Sequence, residues 1–233
     1  MQAFRRILLG LAVVCGATVG AARAQDVTFD VTLAGVRVAE MTVDGKTADG
    51  RYGVAVTIRS EGLAGVVKRI RFESRADGRV ASGGFVPARY REQADTGRRQ
   101  SQVEMVYDGG VPRVVTYTSP RPDDADLLDP ATQGGTLDPA TALFAGLRDL
   151  SAGQGCTTEF TVFDGRRRAV YSLAGDGTTC TGSYRRVAGY SPAEMAERSS
   201  FAIEVTYALA GARLQVVAAS VQTIYGKVRL NRR

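Results

Sequence analysis

Tyr52-Gly53-Val54-Ala55-Val56-Thr57-Ile58-Arg59 is the stretch that decides the fold. Tyr52, Val54, Val56 and Ile58 are large and apolar, and the residues between them are small or polar. A period of two puts the first set on one face of a strand and the second on the other. A helix, with its period near 3.6, would mix the two sets. The pattern recurs on both sides. Upstream, Val27, Phe29, Val31 and Leu33 oppose Thr28, Asp30 and Thr32, and Ala34-Gly35 turns the chain. Val36 and Val38 open the next strand, but Met41 and Val43 fall in the opposite phase, which predicts a bulge near Ala39-Glu40. Asp49-Gly50 makes the following turn. Downstream, residues 62–67 form a small apolar insert, and Ile70 and Phe72 then alternate with Arg69, Arg71, Glu73 and Arg75. Residues 87–94, 100–107 and 113–118 read as three more strands.

Residues 119–136 break the pattern with three prolines and four aspartates, and are expected to be a surface loop. A helix follows. Asp138 is placed to cap it and Pro139 suits its first position, with Leu143, Phe144, Leu147 and Leu150 as an apolar stripe and Gly153 as its end. Strands then resume. Thr158, Phe160 and Val162 lead into Asp164-Gly165, a strong hairpin signal, and Tyr171 and Leu173 follow. Cys180, Gly182 and Tyr184 form the next strand, then Phe201, Ile203, Val205 and Tyr207, then Leu214, Val216 and Ala218, with a last strand over residues 221–230. The sum is a mainly β protein. About a dozen antiparallel strands are expected in one large curved sheet or open half-barrel, covered by one amphipathic helix. No repeat or linker divides residues 25–233, which read as a single β-rich domain.

The N-terminus sets the compartment. Arg5 and Arg6 precede an apolar run over residues 7–19, and Ala22-Arg23-Ala24 is a cleavage signal, so residues 1–24 read as a secretory signal peptide and the mature chain starts at Gln25. The run is too short to span a bilayer, which takes about 20 residues. A periplasmic location follows if the source is bacterial. Val14 before Cys15 does not suit a lipoprotein signal. Cys156 and Cys180 are the remaining pair, and a disulfide is the default in an oxidising compartment. It would close a loop of about 25 residues, worth roughly 3–4 kcal/mol on the chain-entropy model. Neither C-x-x-C nor zinc spacing supports a redox or metal role for them.

Composition excludes several functions. The chain has no histidine, which removes Ser-His-Asp and Cys-His catalysis and His-ligated zinc. It has no tryptophan, which weakens sugar stacking. The formal charge of +6 falls to +3 once the three leader arginines are removed, too little for a nucleic-acid binder. No cofactor or metal motif stands out. Asp123, Asp124, Asp126 and Asp129 lack the order of a calcium loop. Arg166, Arg167, Arg168, Arg185 and Arg186 are candidates for a polyanion or lipid head group, although alternation separates Arg167 from its neighbours, and edge-strand protection accounts for such charges equally well. Glu61, Glu73, Glu104 and Asp164 are the carboxylates available to a hydrolase, with nothing in the sequence to pair them. Capping and turn formation account for Asp138, Pro139, Asp164 and Gly165. Tyr52, Phe72, Tyr107, Phe160, Phe201 and Tyr207, with Leu143, Phe144 and Leu147 of the helix, form either a core or the lining of an apolar cavity.

Leu137-Asp138-Pro139-Ala140-Thr141-Ala142-Leu143, Phe163-Asp164-Gly165-Arg166-Arg167-Arg168 with Tyr171, Cys180-Thr181-Gly182-Ser183-Tyr184 and Val187-Ala188-Gly189-Tyr190 carry a resemblance. The chain resembles a bacterial exported family called domain of unknown function 3108. The resemblance implies an exported protein with no assigned activity, and it transfers no catalytic residue. The architecture also looks like that of periplasmic lipoprotein carriers, a likeness of fold alone. The expected function is therefore non-enzymatic, with envelope maintenance through a lipid-like ligand held in the curved sheet. Two alternatives stand beside it: a structural or interaction module binding another envelope protein, and a carboxylate-based hydrolase. The exported protein is expected to begin at Gln25. Intact-mass measurement on secreted material checks this, and retention of residues 1–24 would refute it.

Overall fold

The computed structural model describes residues 23–61, 70–81, 84–97, 99–118, 127–175 and 177–233. Fourteen strands follow in chain order: β1 (Arg23–Leu33), β2 (Val36–Ala48), β3 (Arg51–Ser60), β4 (Arg71–Ala81), β5 (Gly84–Asp95), β6 (Gln100–Asp108), β7 (Val111–Tyr117), β8 (Leu150–Ser151), β9 (Thr158–Phe163), β10 (Arg168–Ala174), β11 (Thr179–Ala188), β12 (Ser200–Ala210), β13 (Arg213–Thr223) and β14 (Gly226–Arg232). Two helices, α1 (Pro139–Leu147) and α2 (Pro192–Glu197), and a 3-10 turn at Pro130–Thr132 complete the described elements. The expected signal peptide lies outside the described residues, apart from Arg23 and Ala24, which pair with Thr47 and Lys46 at the start of β1.

All strands belong to one antiparallel sheet. Its order is β7-β6-β5-β4-β3-β2-β1-β14-β13-β12-β11-β10-β9, with β8 added to β13. Along that path every neighbour but one is also a sequence neighbour, so the sheet is built almost wholly from hairpins. The exception is β1 with β14, which joins the two halves through Phe29↔Arg232 to Leu33↔Val228. Tight turns set the registers. At the β2–β3 turn Asp49 (φ 51°) and Gly50 (φ 69°) both adopt left-handed backbone, the twist that two-residue hairpins require. The expected slip in β2 is present one step earlier than Ala39. Val31 faces Ala39 and Thr32 faces Arg37, leaving Val38 as the extra residue.

The sheet curls until its two ends meet, but it does not close. β7 and β9 share no ladder. Instead, a Cβ built at Gly165, in the β9–β10 turn, would lie 3.0 Å from Val103 and 3.7 Å from Met105 and Val114 of β6 and β7. The segment between them stitches the gap. Gly135 N donates to Gly110 O at 2.9 Å, Leu137 N to Thr161 O at 2.8 Å, and Phe163 N to Leu137 O at 2.9 Å. Residues 127–136 are therefore not the plain surface loop expected from composition, because Gln133 and Thr136 are buried and Leu128 packs on the core. Residues 119–126, with Asp123, Asp124 and Asp126, lie outside the described residues. Asp129 caps the 3-10 turn by accepting from Ala131 N at 2.9 Å.

The helix differs from expectation in two ways. It ends at Leu147, well short of the Gly153 expected to close it, where Arg148 turns extended and Leu150 enters β8. It is also buried nearly all round, through Ala140, Thr141, Ala142, Phe144, Gly146 and Leu147. It is thus a plug inside the curl rather than an amphipathic cover. Gln25 and Asp149 hold its C-terminal end: Gln25 Nε2 donates to Leu147 O at 3.0 Å, and Asp149 N donates to Gln25 Oε1 at 2.8 Å. Asp149 Oδ1 also accepts from Val216 N and from Arg232 Nη1. The second helix, α2, carries a full capping box, with Glu194 N donating to Ser191 Oγ and Ser191 N to Glu194 Oε2. Cys156 and Cys180 form a disulfide that ties the entry to β9 onto β11.

Gly45 is where α1 meets β2. A Cβ there would lie 2.6 Å from Cδ2 and 2.7 Å from Cζ of the Phe144 ring. Gly45→Ala is expected to lower stability by about 1–3 kcal/mol through overpacking, read as a fall in the urea midpoint. An unchanged midpoint would show that the helix does not rest on this strand.

Candidate functional site

Between α1 and the inner face of the sheet lies a cavity of about 500 Å³, within the size range of small-molecule sites. Pro139, Ala142, Leu143, Gly146 and Leu147 of α1 form one wall. The facing wall comes from inward positions of both sheet halves: Phe72 and Glu92 from β4 and β5, Val162 and Tyr171 from β9 and β10, and Ile203, Val205, Ala219, Val221, Val228 and Leu230 from β12 to β14. Strand alternation fixes these directions. On β5 it sends Tyr90, Glu92 and Ala94 inward while Arg91 pairs with Glu104 on the outside.

The inner face grows more exposed toward one rim. On β1, Val27 and Phe29 are buried and Val31 and Leu33 half-buried; on β3, Val54 and Val56 are buried and Ile58 half-buried. Val205 and Ala219 are buried, while Ile203, Val221 and Val228 are half-buried. The gradient places the cavity mouth at the rim carrying the Ala34–Gly35 and Ile224–Tyr225 turns, which Ala34 N bonded to Lys227 O holds side by side.

Polar groups gather at one side of the cavity. Glu92 lines it, and its Oε2 accepts from the fully buried Tyr90 hydroxyl. Asp164 lines it too, and its Oδ1 accepts from Arg166 N at 2.9 Å and Arg167 N at 2.6 Å, so it closes the β9–β10 turn. Burial raises the pKa of Asp164 against these N–H bonds. Burial also raises that of Glu92, with the nearby charge of Asp164 adding to it and the Tyr90 bond opposing it. Arg167 reaches α2, where Nη2 donates to Glu194 Oε1 at 2.6 Å and the guanidinium lies 4.8 Å from the Tyr190 ring centre. Arg186 stacks on Tyr190 and Phe201 and donates to Arg198 O at 2.8 Å. These two arginines clamp α2 to the sheet and do not form an open anionic-ligand patch with Arg166, Arg168 and Arg185.

A second polar group lies under the helix. Asp138, fully buried, accepts from Thr141 N at 2.9 Å and from Thr141 Oγ1 at 2.6 Å. Thr141 Oγ1 in turn lies 2.8 Å from the Tyr52 hydroxyl. Because the carboxylate only accepts, the chain runs Tyr52 to Thr141 to Asp138. Tyr107 is packed close by, and its hydroxyl has no partner among the described residues.

The aromatic and helical residues singled out from the sequence divide between core and cavity. Phe72, Leu143 and Leu147 line the cavity. Tyr52, Phe144 and Tyr207 are buried core, and Tyr107 packs against it. Phe160 stacks on Tyr171 with ring centres 4.7 Å apart, and Phe201 lies under Arg186. Of the carboxylates, Glu61, Glu73 and Glu104 form outward ion pairs with Arg37, Arg71 and Arg91. Asp164 has Glu92 for a neighbour instead. Glu92 was readable from its phase with Tyr90 and Ala94, once residues 87–94 were read as a strand with that face inward.

The family model described as "Protein of unknown function (DUF3108)" matches residues 28–189, and the chain belongs to that family. Strands β12 to β14, which build part of the cavity wall, lie beyond the matched segment. A comparison with curated proteins returned no match. Among solved structures, the chain is similar to the "Beta-barrel-like Protein of Domain of Unknown Function DUF1849 from Brucella abortus", at 12% identity and TM-score 0.49 over 90% of this chain and 95% of that one.

Burial pushes the Asp138 pKa up to about 6 from 3.8, against the bonds from Thr141. The native state therefore binds the proton more tightly than the unfolded chain, and this group's contribution to stability falls as pH rises from about 4 to 6. Over that range the contribution amounts to roughly 3 kcal/mol. Asp138→Asn, which keeps a capping oxygen, is expected to lose that slope relative to the wild type. Urea unfolding of both proteins at pH 4 and pH 7 measures it, and equal slopes would refute the buried-carboxyl account.

Proposed function

We propose that this is a non-enzymatic exported protein that holds a lipid-like ligand between its curved sheet and α1, and serves envelope maintenance in the periplasm. The cavity of about 500 Å³ with its largely aliphatic lining carries the reading. A chain of about ten methylenes buried there gains roughly 8 kcal/mol before association costs. The leader sequence and the Cys156–Cys180 disulfide support export to an oxidising compartment. Among the described residues no helix is long and apolar enough to cross a membrane.

One observation favours a second reading, an interaction module. Val36, Ile224 and Tyr225 are exposed together on the mouth rim, Tyr225 at 79%. Such side chains suit a protein partner as well as a lipid surface. Glu92 beside Asp164 is the pairing that a carboxylate hydrolase would need, but the backbone bonds that commit Asp164 to its turn weigh against it.

Filling the cavity tests the proposal. N-phenyl-1-naphthylamine, a neutral apolar fluorophore, is expected to bind the wild-type protein saturably. Ala219→Phe, which extends a ring into the cavity, is expected to weaken that binding at least tenfold while the protein still melts cooperatively. Absence of saturable binding to the wild type, or binding indifferent to Ala219→Phe, would contradict it.

A further inference from the structure

We infer that Glu92 is the specificity-determining group of the cavity, and that the ligand carries a cationic or hydrogen-bond-donating head, with alkylammonium the best-matched class. The inference rests on the proposed lipid-like ligand and adds the chemistry of its head group.

Glu92 lies in the cavity wall between apolar neighbours. Tyr90 and Ala94 precede and follow it on the same face of β5, and Phe72 and Val162 line the same space. The carboxyl's one hydrogen-bond partner among the described residues is the Tyr90 hydroxyl, at Oε2, and its Oε1 has none. No cation pairs with it among the described ion pairs, whereas the outward acids Glu73 and Glu104 each hold an arginine. A half-buried carboxyl with one open acceptor is poorly satisfied in an empty apolar wall, and a donor placed against it satisfies it. A positive donor does so best, because it also offsets the like charge of Asp164.

The arginine at the same end does not reverse the sign. Arg167 lines the cavity, but its Nη2 is 2.6 Å from Glu194 Oε1 and its guanidinium stacks on Tyr190. Its guanidinium is therefore already held between Glu194 and the Tyr190 ring. Asp164 is a weaker determinant than Glu92, because its Oδ1 already accepts two backbone N–H bonds. Tyr184, the other polar side chain at this end, shares its hydroxyl with Tyr190 at 3.3 Å. Chain and head recognition are thereby divided, with aliphatic residues of α1 and β12–β14 taking the chain and Glu92 the head.

Three probes with the same twelve-carbon chain separate the possibilities: dodecylammonium, dodecanol and dodecanoate, each measured by displacement of N-phenyl-1-naphthylamine. The wild type is expected to bind dodecylammonium at least tenfold more tightly than dodecanoate, with dodecanol between them. Glu92→Gln keeps the size of the side chain and an acceptor for Tyr90. It is expected to bring the three within about threefold of one another, each affinity taken relative to the fluorophore's own affinity for the same protein. If all three bind the wild type alike, or dodecanoate binds best, or Glu92→Gln leaves the preference intact, the cavity reading stands and this inference falls. If none of the three displaces the fluorophore, the lipid-like ligand falls and the head-group assignment goes with it.

Discussion

The structure depends on the docking of one nine-residue helix inside a sheet that is too long to stay flat. Phe144 rests against Gly45, Asp138 caps the helix from within, and Gln25 with Asp149 holds its other end. Without the plug, the inner face of the curl would be an open apolar trough. With it, the trough is filled on the β2–β3 side and left hollow on the β12–β14 side. The cavity is therefore a consequence of where the helix sits. A helix one turn longer would run through Leu150, which instead pairs with Leu214 as part of β8.

The sheet stays open, and its gap is crossed by the segment between β7 and α1. Edge strands with unpaired N–H and C=O groups invite pairing with other chains. Here the segment that leads into α1 first bonds to the β6–β7 turn and then to β9 through Leu137. It is a stitch across the gap rather than a ladder, so the curl can keep a mouth at the Ile224–Tyr225 rim. The disulfide lies at the opposite end, where it holds the β9 entry to β11. The end away from the mouth is thus covalently fixed.

Much of this was legible in the chain. Clean alternation from Tyr52 to Ile58, and the paired Asp-Gly turns, are local signals that tertiary structure had no reason to override. The helix start was legible for the same reason, since Asp138-Pro139 states it within two residues. Its end was not. Leu150 continues the apolar spacing, and only pairing with β13 pulls it into a strand. The helix α2 carried a readable signal in Ser191-Pro192-Ala193-Glu194, a capping box with proline at the first position. The cavity's polar group was hidden for a different reason. A single carboxylate in a strand reads as solvent-facing unless the phase of its neighbours is followed, and at Glu92 that phase points inward. Which distant strands share the cavity depends on the β1–β14 join, and no local pattern encodes that pairing.

The central claim is that the hollow between α1 and β12–β14 is a ligand site rather than a packing defect. Native mass spectrometry of the protein expressed from its full sequence and purified without detergent tests it most directly. A population heavier than the bare polypeptide by the mass of a single amphiphile is expected, which collisional activation removes and which Ala219→Phe lacks. A single species at the mass of the bare polypeptide in each of the two proteins would contradict it.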